Sequence, residues 1–220
     1  MTGVQTCALP IFIWITNLAK VPILIAVHPV LPARNTRELI ALAKAKPGEL
    51  LYGSSGIATS GHLGAELLMN MTGTRMIHVP YKGAAGTMVD VLSGQLAIYF
   101  GAIGTPLPHV KSGRLRALAV TTMARSPAAP DVATLDEQGY KGFEFSTWYA
   151  ICAPAGTPAD IVAKLNKEIV RIVHQPDLRD RLAAEGSMVV GASSEEFTAF
   201  VKSEIARWGK VVRQAGIRAE

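Results

Sequence analysis

The sequence predicts an α/β fold on a mainly parallel sheet, and three observations carry that expectation. Short strand-like runs alternate with helix-like runs between Leu50 and Thr121, an order that builds a sheet covered by helices. Ile23–Val27 is a continuous apolar run bounded by prolines, as expected of a strand buried on both faces. The composition, 49% hydrophobic and 18% charged over 220 residues, is that of a core-forming globular chain and excludes disorder or low complexity as its main character.

The elements follow in order. Asn35 and Glu38 have capping-box spacing and open a helix that Pro47-Gly48 stops. Strands are expected near Leu50–Ser54, Met76–Val79, Leu96–Phe100 and Leu115–Thr121, with helices near Ser60–Met71, Ala84–Leu92 and Pro106–Ser112 between them. A proline-rich connection, Ser126–Pro130, breaks the pattern, and Phe143–Ala153 reads as a long extended segment. Thr157-Pro158-Ala159-Asp160 opens a helix with Pro in its first turn, on which Ile161, Leu165, Ile169 and Ile172 share one face. Ser193–Glu196 caps a last long helix with a stripe of Phe197, Val201, Ile205, Trp208 and Val212, ended by Gly216. There are no internal repeats.

Charge and cysteines bound the function. Lys plus Arg 22 against Asp plus Glu 17 leaves +5, spread along the chain as solvated helix faces rather than a nucleic-acid footprint. Cys7 and Cys152 fit no metal-ligand spacing. His28, His78, His109 and His174 sit on different elements, so neither a metal nor a cofactor is expected. No apolar run reaches the roughly 20 residues needed to span a membrane.

Two glycine-rich turns are the chemical centre of the sequence. Leu51-Tyr52-Gly53-Ser54-Ser55-Gly56 leads into a helix near Thr59 or Ser60, and Met76–Gly83 into another near Ala84. Each places backbone N–H groups at a helix N-terminus beyond a strand's carboxyl end, where the helix dipole favours an anion. A pair of such sites points to a carboxylate or another small anion.

Tyr52-Gly-Ser-Ser-Gly56, Thr59, His62-Leu63, Glu66, His78-Val-Pro-Tyr-Lys-Gly83, Asp90 and Gly94-Gln95 resemble the substrate-binding proteins of tripartite tricarboxylate transporters, the Bug or TctC-like family. The resemblance continues through Arg116–Thr121, Phe143-Glu144, Trp148, Ala153–Pro158 and Glu204–Trp208, and covers the chain from about Ile15. It implies an extracytoplasmic, periplasmic solute-binding protein that captures a small organic acid for membrane transporter subunits, without catalysis and without spanning the membrane itself. It also implies two lobes with mainly parallel sheets. Residues 15–28 and the start of 144–220 would be crossing segments, 29–143 the nearly complete second lobe, and the rest of 144–220 the C-terminal helices of an incomplete first lobe. Residues 1–14 fall outside the resemblance, and Gly3–Ile11 looks like translated sequencing adaptor rather than a signal peptide. In that reading the chain is a fragment, and its two C-terminal stripes are left partly exposed.

The ligand-binding candidates are Ser54, Ser55, Gly56, Thr59, Ser60, Tyr81, Gly83, Ala84, Gly101 and Trp148. Plain N-capping is the alternative role for Thr59 and Ser60. Ile57 and Ala58 stand where the family usually has Asn and Gly, and Gly101 and Ala102 where many relatives carry Asp or Asn, which implies a less polar ligand without an amino group. Lys82 invites a carboxylate contact, although an exposed lysine is more often a solvated charge. Trp148 either walls a cleft or fills a core. An esterase-like α/β hydrolase would use Ser55 with His62, but Gly53-Ser-Ser-Gly56 lacks the nucleophile-elbow pattern, and His62 is expected to brace the loop. A ligand-sensing interaction domain is a third possibility.

Overall fold

The computed structural model describes residues 11–214 and 217. The described residues divide into two compact units, one comprising 11–20 with Trp148–Lys210, the other Val21–Thr147 with 211–214 and 217.

The larger unit is a sheet in the order β3-β2-β4-β1-β5, formed by β1 (Phe12–Val27), β2 (Leu51–Ser54), β3 (Ile77–Pro80), β4 (Ile98–Ala102) and β5 (Arg116–Val120). β2 runs parallel to β3 and β4, whereas β1 is antiparallel to both β4 and β5. The sheet is therefore mainly parallel, with the last stretch of β1 as the reversed strand near its centre. Ile23, Leu24, Ile25, Ala26 and Val27 are all fully buried. The apolar run predicted that burial correctly, but it carries no information about strand direction.

Helices cover both faces. α1 (Thr36–Ala45) is capped by Asn35, α2 (Ser60–Thr72) follows β2, α3 (Ala84–Leu92) follows β3, and α4 (Leu107–Lys111) follows β4. Tyr52 and Phe100, in edge-to-face contact at 5.4 Å, lie on the α2 side. Tyr99, Leu24 and Ala26 pack with Met88 and Val91 of α3 on the other. Glycines set how close the helices come. A Cβ on Gly61 would lie 2.1 Å from the Phe100 carbonyl oxygen, and one on Gly64 2.8 Å from the Phe145 ring. Only a bare backbone allows this approach, and it brings the first turn of α2 down beside the end of β4.

The smaller unit contains the first part of β1, β6 (Ser146–Pro154) from Trp148 on, α5 (Ala159–Val173), α6 (Pro176–Ala184), β7 (Met188–Val189) and α7 (Ser194–Gln214) as far as Lys210. β6 and β7 both pair with β1. Trp14, counted in the sequence with the foreign stretch, is instead packed edge-to-face on Trp148 at 6.4 Å and on Phe197 at 5.6 Å. Asn166 ties α5 to this strand by donating to the carbonyls of Ile15 (2.8 Å) and Ala192 (3.0 Å). α6 and β7 were not foreseen.

The two C-terminal stripes behave differently. On α7, Phe197, Val201, Trp208 and Val211 are buried. On α5, Ile161, Leu165 and Ile172 remain 43%, 39% and 42% exposed, while Val162 and Val173 carry the buried face. Gly216, expected to end α7, and Cys7 lie outside the described residues; Cys152 is exposed.

Candidate functional site

Both glycine-rich turns belong to the larger unit and are stitched into one surface at the ends of β2 and β3. The Tyr81 N–H donates to the Ser54 carbonyl (3.2 Å) and the Gly83 N–H to the Ser55 carbonyl (3.0 Å). Thr87 of α3 adds its hydroxyl to the Ser54 carbonyl at 3.1 Å. Gly56, at φ 145°, and Gly83, at φ 119°, occupy backbone conformations that side chains rarely adopt. A Cβ on Gly56 would also sit 3.1 Å from the Tyr81 carbonyl, so the crossing of the turns needs glycine twice over.

Neither helix is capped by a side chain. Thr59 occupies the N-cap of α2 in extended conformation, yet it makes no capping bond; its hydroxyl turns back and donates to the Gly56 carbonyl at 2.7 Å. Gly83 at the N-cap of α3 has no side chain to offer. The N–H groups of Ser60, Gly61 and His62, and of Ala84, Ala85 and Gly86, open the two helices and so have no acceptor within them. These are oriented donors with a positive dipole behind them. The Gly83 N–H is already committed to Ser55, so the donors of the second turn begin at Ala84.

The candidate side chains divide by their commitments. Ser54 is fully buried, and its hydroxyl accepts from the Gly56 N–H (3.2 Å) and meets His78 Nε2 at 2.7 Å. Ser55 is half-buried, and the Ser60 hydroxyl accepts from Thr147 at 2.7 Å. Tyr81 donates its hydroxyl to the Asp90 carboxylate, which with burial pushes its pKa up to about 12. That hydroxyl holds α3 to the turn. Lys82 is exposed. At Gly101 a Cβ would lie 2.3 Å from the Tyr99 hydroxyl oxygen, so the ring two residues earlier occupies the space of a side chain there. Trp148 belongs to the smaller unit, where it is edge-to-face with Phe197 and Phe200 at 5.5 and 5.9 Å.

Ala58, at φ 58°, is the one non-glycine residue with positive φ among the described residues. Its N–H donates to His62 Nδ1 at 3.1 Å, which leaves the His62 proton on Nε2, facing Glu66 at 3.7 Å. His62 thus braces the loop, as its position suggested. Ser55 and His62 do not form the nucleophile–base pair the hydrolase alternative required. The serine and histidine in contact are Ser54 and His78, and that serine is sealed from solvent.

The His78 cluster was missed in the sequence. β2 and β3 pair in parallel with Tyr52 opposite His78, and the two rings stack at 5.0 Å. His62 also stacks on His78, with centroids 3.9 Å apart, and Tyr52 donates to Glu66 at 3.2 Å. Burial and Glu66 both raise the Tyr52 pKa. The available signal was Tyr52 and Ser54 two apart on one strand, His78 on the next, and His62 and Glu66 one helical turn apart. Among the described residues no group of three His, Cys, Asp or Glu side chains converges on a metal position.

Two uncapped helix starts beyond the carboxyl ends of parallel strands are the place where open α/β sheets bind small ligands and anions. The chain belongs to the tripartite tricarboxylate transporter family of receptors, TctC, whose pattern matches residues 11–217. It is 34% identical over 204 residues to protein BugT of Bordetella pertussis, an alignment covering 93% of this chain and 63% of BugT. The structure of R. palustris Rpa4515 with adipate superposes with a TM-score of 0.84 at 35% identity, covering 94% of this chain and 69% of that one. MatC from Rhodopseudomonas palustris with bound malate superposes with a TM-score of 0.79 at 27% identity, covering 91% and 69%. The chain thus spans just under two thirds of the length of the curated relative BugT. No helix among the described residues is long and apolar enough to cross a membrane.

Proposed function

We propose that this protein is a periplasmic receptor that captures a small organic acid and presents it to the membrane subunits of a tripartite tricarboxylate-type transporter, without altering it chemically. The observation that carries this reading is the pair of helix starts whose N-cap positions form no side-chain cap. Ser55, Gly56, Thr59 and Ser60 shape the first turn, and Tyr81, Gly83 and Ala84 the second. The carboxylate is held chiefly by the backbone N–H groups of Ser60–His62 and Ala84–Gly86. The exposed Ile57 beside the first turn suits an aliphatic acid. Family membership and the adipate and malate named for the two superposed structures support the ligand class.

A calorimetric screen against adipate, malate, the corresponding amides and neutral sugars tests this reading. Heat with the acids alone is expected. Binding of a neutral sugar with no response to any carboxylate would overturn it. Turnover of an activated ester, abolished in both Ser55→Ala and His62→Ala, would instead establish the hydrolase.

A further inference from the structure

We infer that His78 is a positioning residue for the first turn: acting as a neutral imidazole through the Ser54 hydroxyl, it fixes the backbone of Ser54–Gly56. The inference rests on the reading of that turn as part of the carboxylate site. Ser54 Oγ contacts Gly56 N at 3.2 Å, Gly56 O at 3.0 Å and Thr59 Oγ1 at 3.4 Å, all within the turn itself. Its contact with His78 Nε2, at 2.7 Å, is shorter than these and comes from a neighbouring strand. His78 is therefore the group that ties this hydroxyl to the sheet. With one proton and two lone pairs, the hydroxyl can satisfy the imidazole and the Gly56 N–H together, so losing the imidazole removes the side-chain tie of this hydroxyl to β3, while the backbone bonds of Tyr81 to Ser54 and of Gly83 to Ser55 remain.

The ring stacks with both Tyr52 and His62, which restricts the direction of Nε2. The titratable groups facing it are Tyr52 of β2 and His62 and Glu66 of α2. Burial, and then the neighbouring His62, pull the His78 pKa down to about 4, with Glu66 opposing. A proton on His78 would place a cation against the His62 ring and work against the stack that aims Nε2 at Ser54.

The test is amide exchange by NMR on the full chain, comparing wild type with His78→Gln and His78→Phe. Glutamine keeps a neutral hydrogen-bonding group at similar reach; phenylalanine keeps a ring without the bond. The Gly56 amide is expected to lose about tenfold of its protection in His78→Phe and to stay within about twofold in His78→Gln. In wild type its protection should fall with the titration of His78, and in His78→Gln it should be flat over the same range. Unchanged Gly56 protection in a folded His78→Phe, or the same acid response in His78→Gln, would overturn the inference. Should the phenylalanine variant not fold, the glutamine pH profile decides alone. Adipate calorimetry on the same proteins separates the two readings. Weakening of about tenfold in His78→Phe and less than about threefold in His78→Gln is expected. A wild type that ignores adipate and malate would refute the carboxylate reading, while the amide data still decide the role of His78.

Discussion

Two helix starts in the larger unit look alike in sequence and differ in chemistry. At α1, Asn35 accepts from the Glu38 N–H at 2.9 Å, and Glu38 reaches back to the Arg34 N–H at 2.7 Å. Two orphan donors of that helix are served by side chains, Glu38 by its N-cap Asn35 and Thr36 by Gln138 at 3.1 Å, in an arrangement related to a capping box. At α2, Thr59 is an equally suitable capping residue with extended backbone, yet its hydroxyl binds the preceding Gly56 carbonyl instead. One helix start is closed and the other is left open. A capping residue at the N-cap therefore identifies where a helix begins, not whether its N–H groups are spent.

The sharpest test of this contrast is at Gly61, which sets how closely the open end approaches β4. Gly61→Ala puts a methyl into the Phe100 carbonyl and is expected to cost about 3 kcal/mol in chemical denaturation, near the upper end for overpacking. Ligand binding should fall with it. Next come the N-caps themselves. Thr59→Val removes the bond to Gly56 and should weaken carboxylate binding by up to about thirtyfold by calorimetry. Asn35→Ala should cost about 1 kcal/mol of stability and leave the affinity unchanged. Equal binding losses in both variants would erase the distinction between the two helix starts.

The third test is pH. With its pKa held at about 4 by burial and His62, against an ordinary value near 6.5, folded His78 binds fewer protons than the unfolded chain between those values. Its contribution therefore leaves stability untouched above about pH 6.5 and lowers it as the pH falls towards 4. The melting temperature of His78→Gln should decline less than that of wild type across this window. The smallest effect is expected at Ala58. A left-handed alanine costs about 1 kcal/mol or more, part of which glycine gives back through its greater freedom when unfolded. Ala58→Gly should thus raise stability by about 0.5 kcal/mol in denaturant titration.

Much of this architecture was legible where chain-local signals dominate. Asn35 and Glu38 announced α1, Ala84 and Leu92 bounded α3 as expected, and Ile23–Val27 proved to be the buried strand. Direction was not legible, because burial of β1 depends on its neighbours' side chains and not on which way they run. The candidate turns were readable as glycine-rich strand ends, but their internal bonding was not. That Gly83 spends its N–H on Ser55, that Tyr81 serves Asp90, and that His78 meets Ser54 are all contacts between separated stretches. Periodicity along one segment cannot report them. Gly101 shows the opposite problem: its lack of a side chain invited a ligand explanation, while the Tyr99 ring supplies a packing reason on the same strand.

The bond from Gly83 to Ser55 has a consequence for kinetics. Because one turn's donor is anchored on the other's carbonyl, the two loops cannot wander independently, and the cost of ordering them is met during folding rather than at encounter. An incoming acid would meet donors already aimed, so association at this surface should be limited by diffusion and steering rather than by loop rearrangement. Selectivity among acids would then be written in residence times: poor fits leave sooner, although all arrive at similar rates.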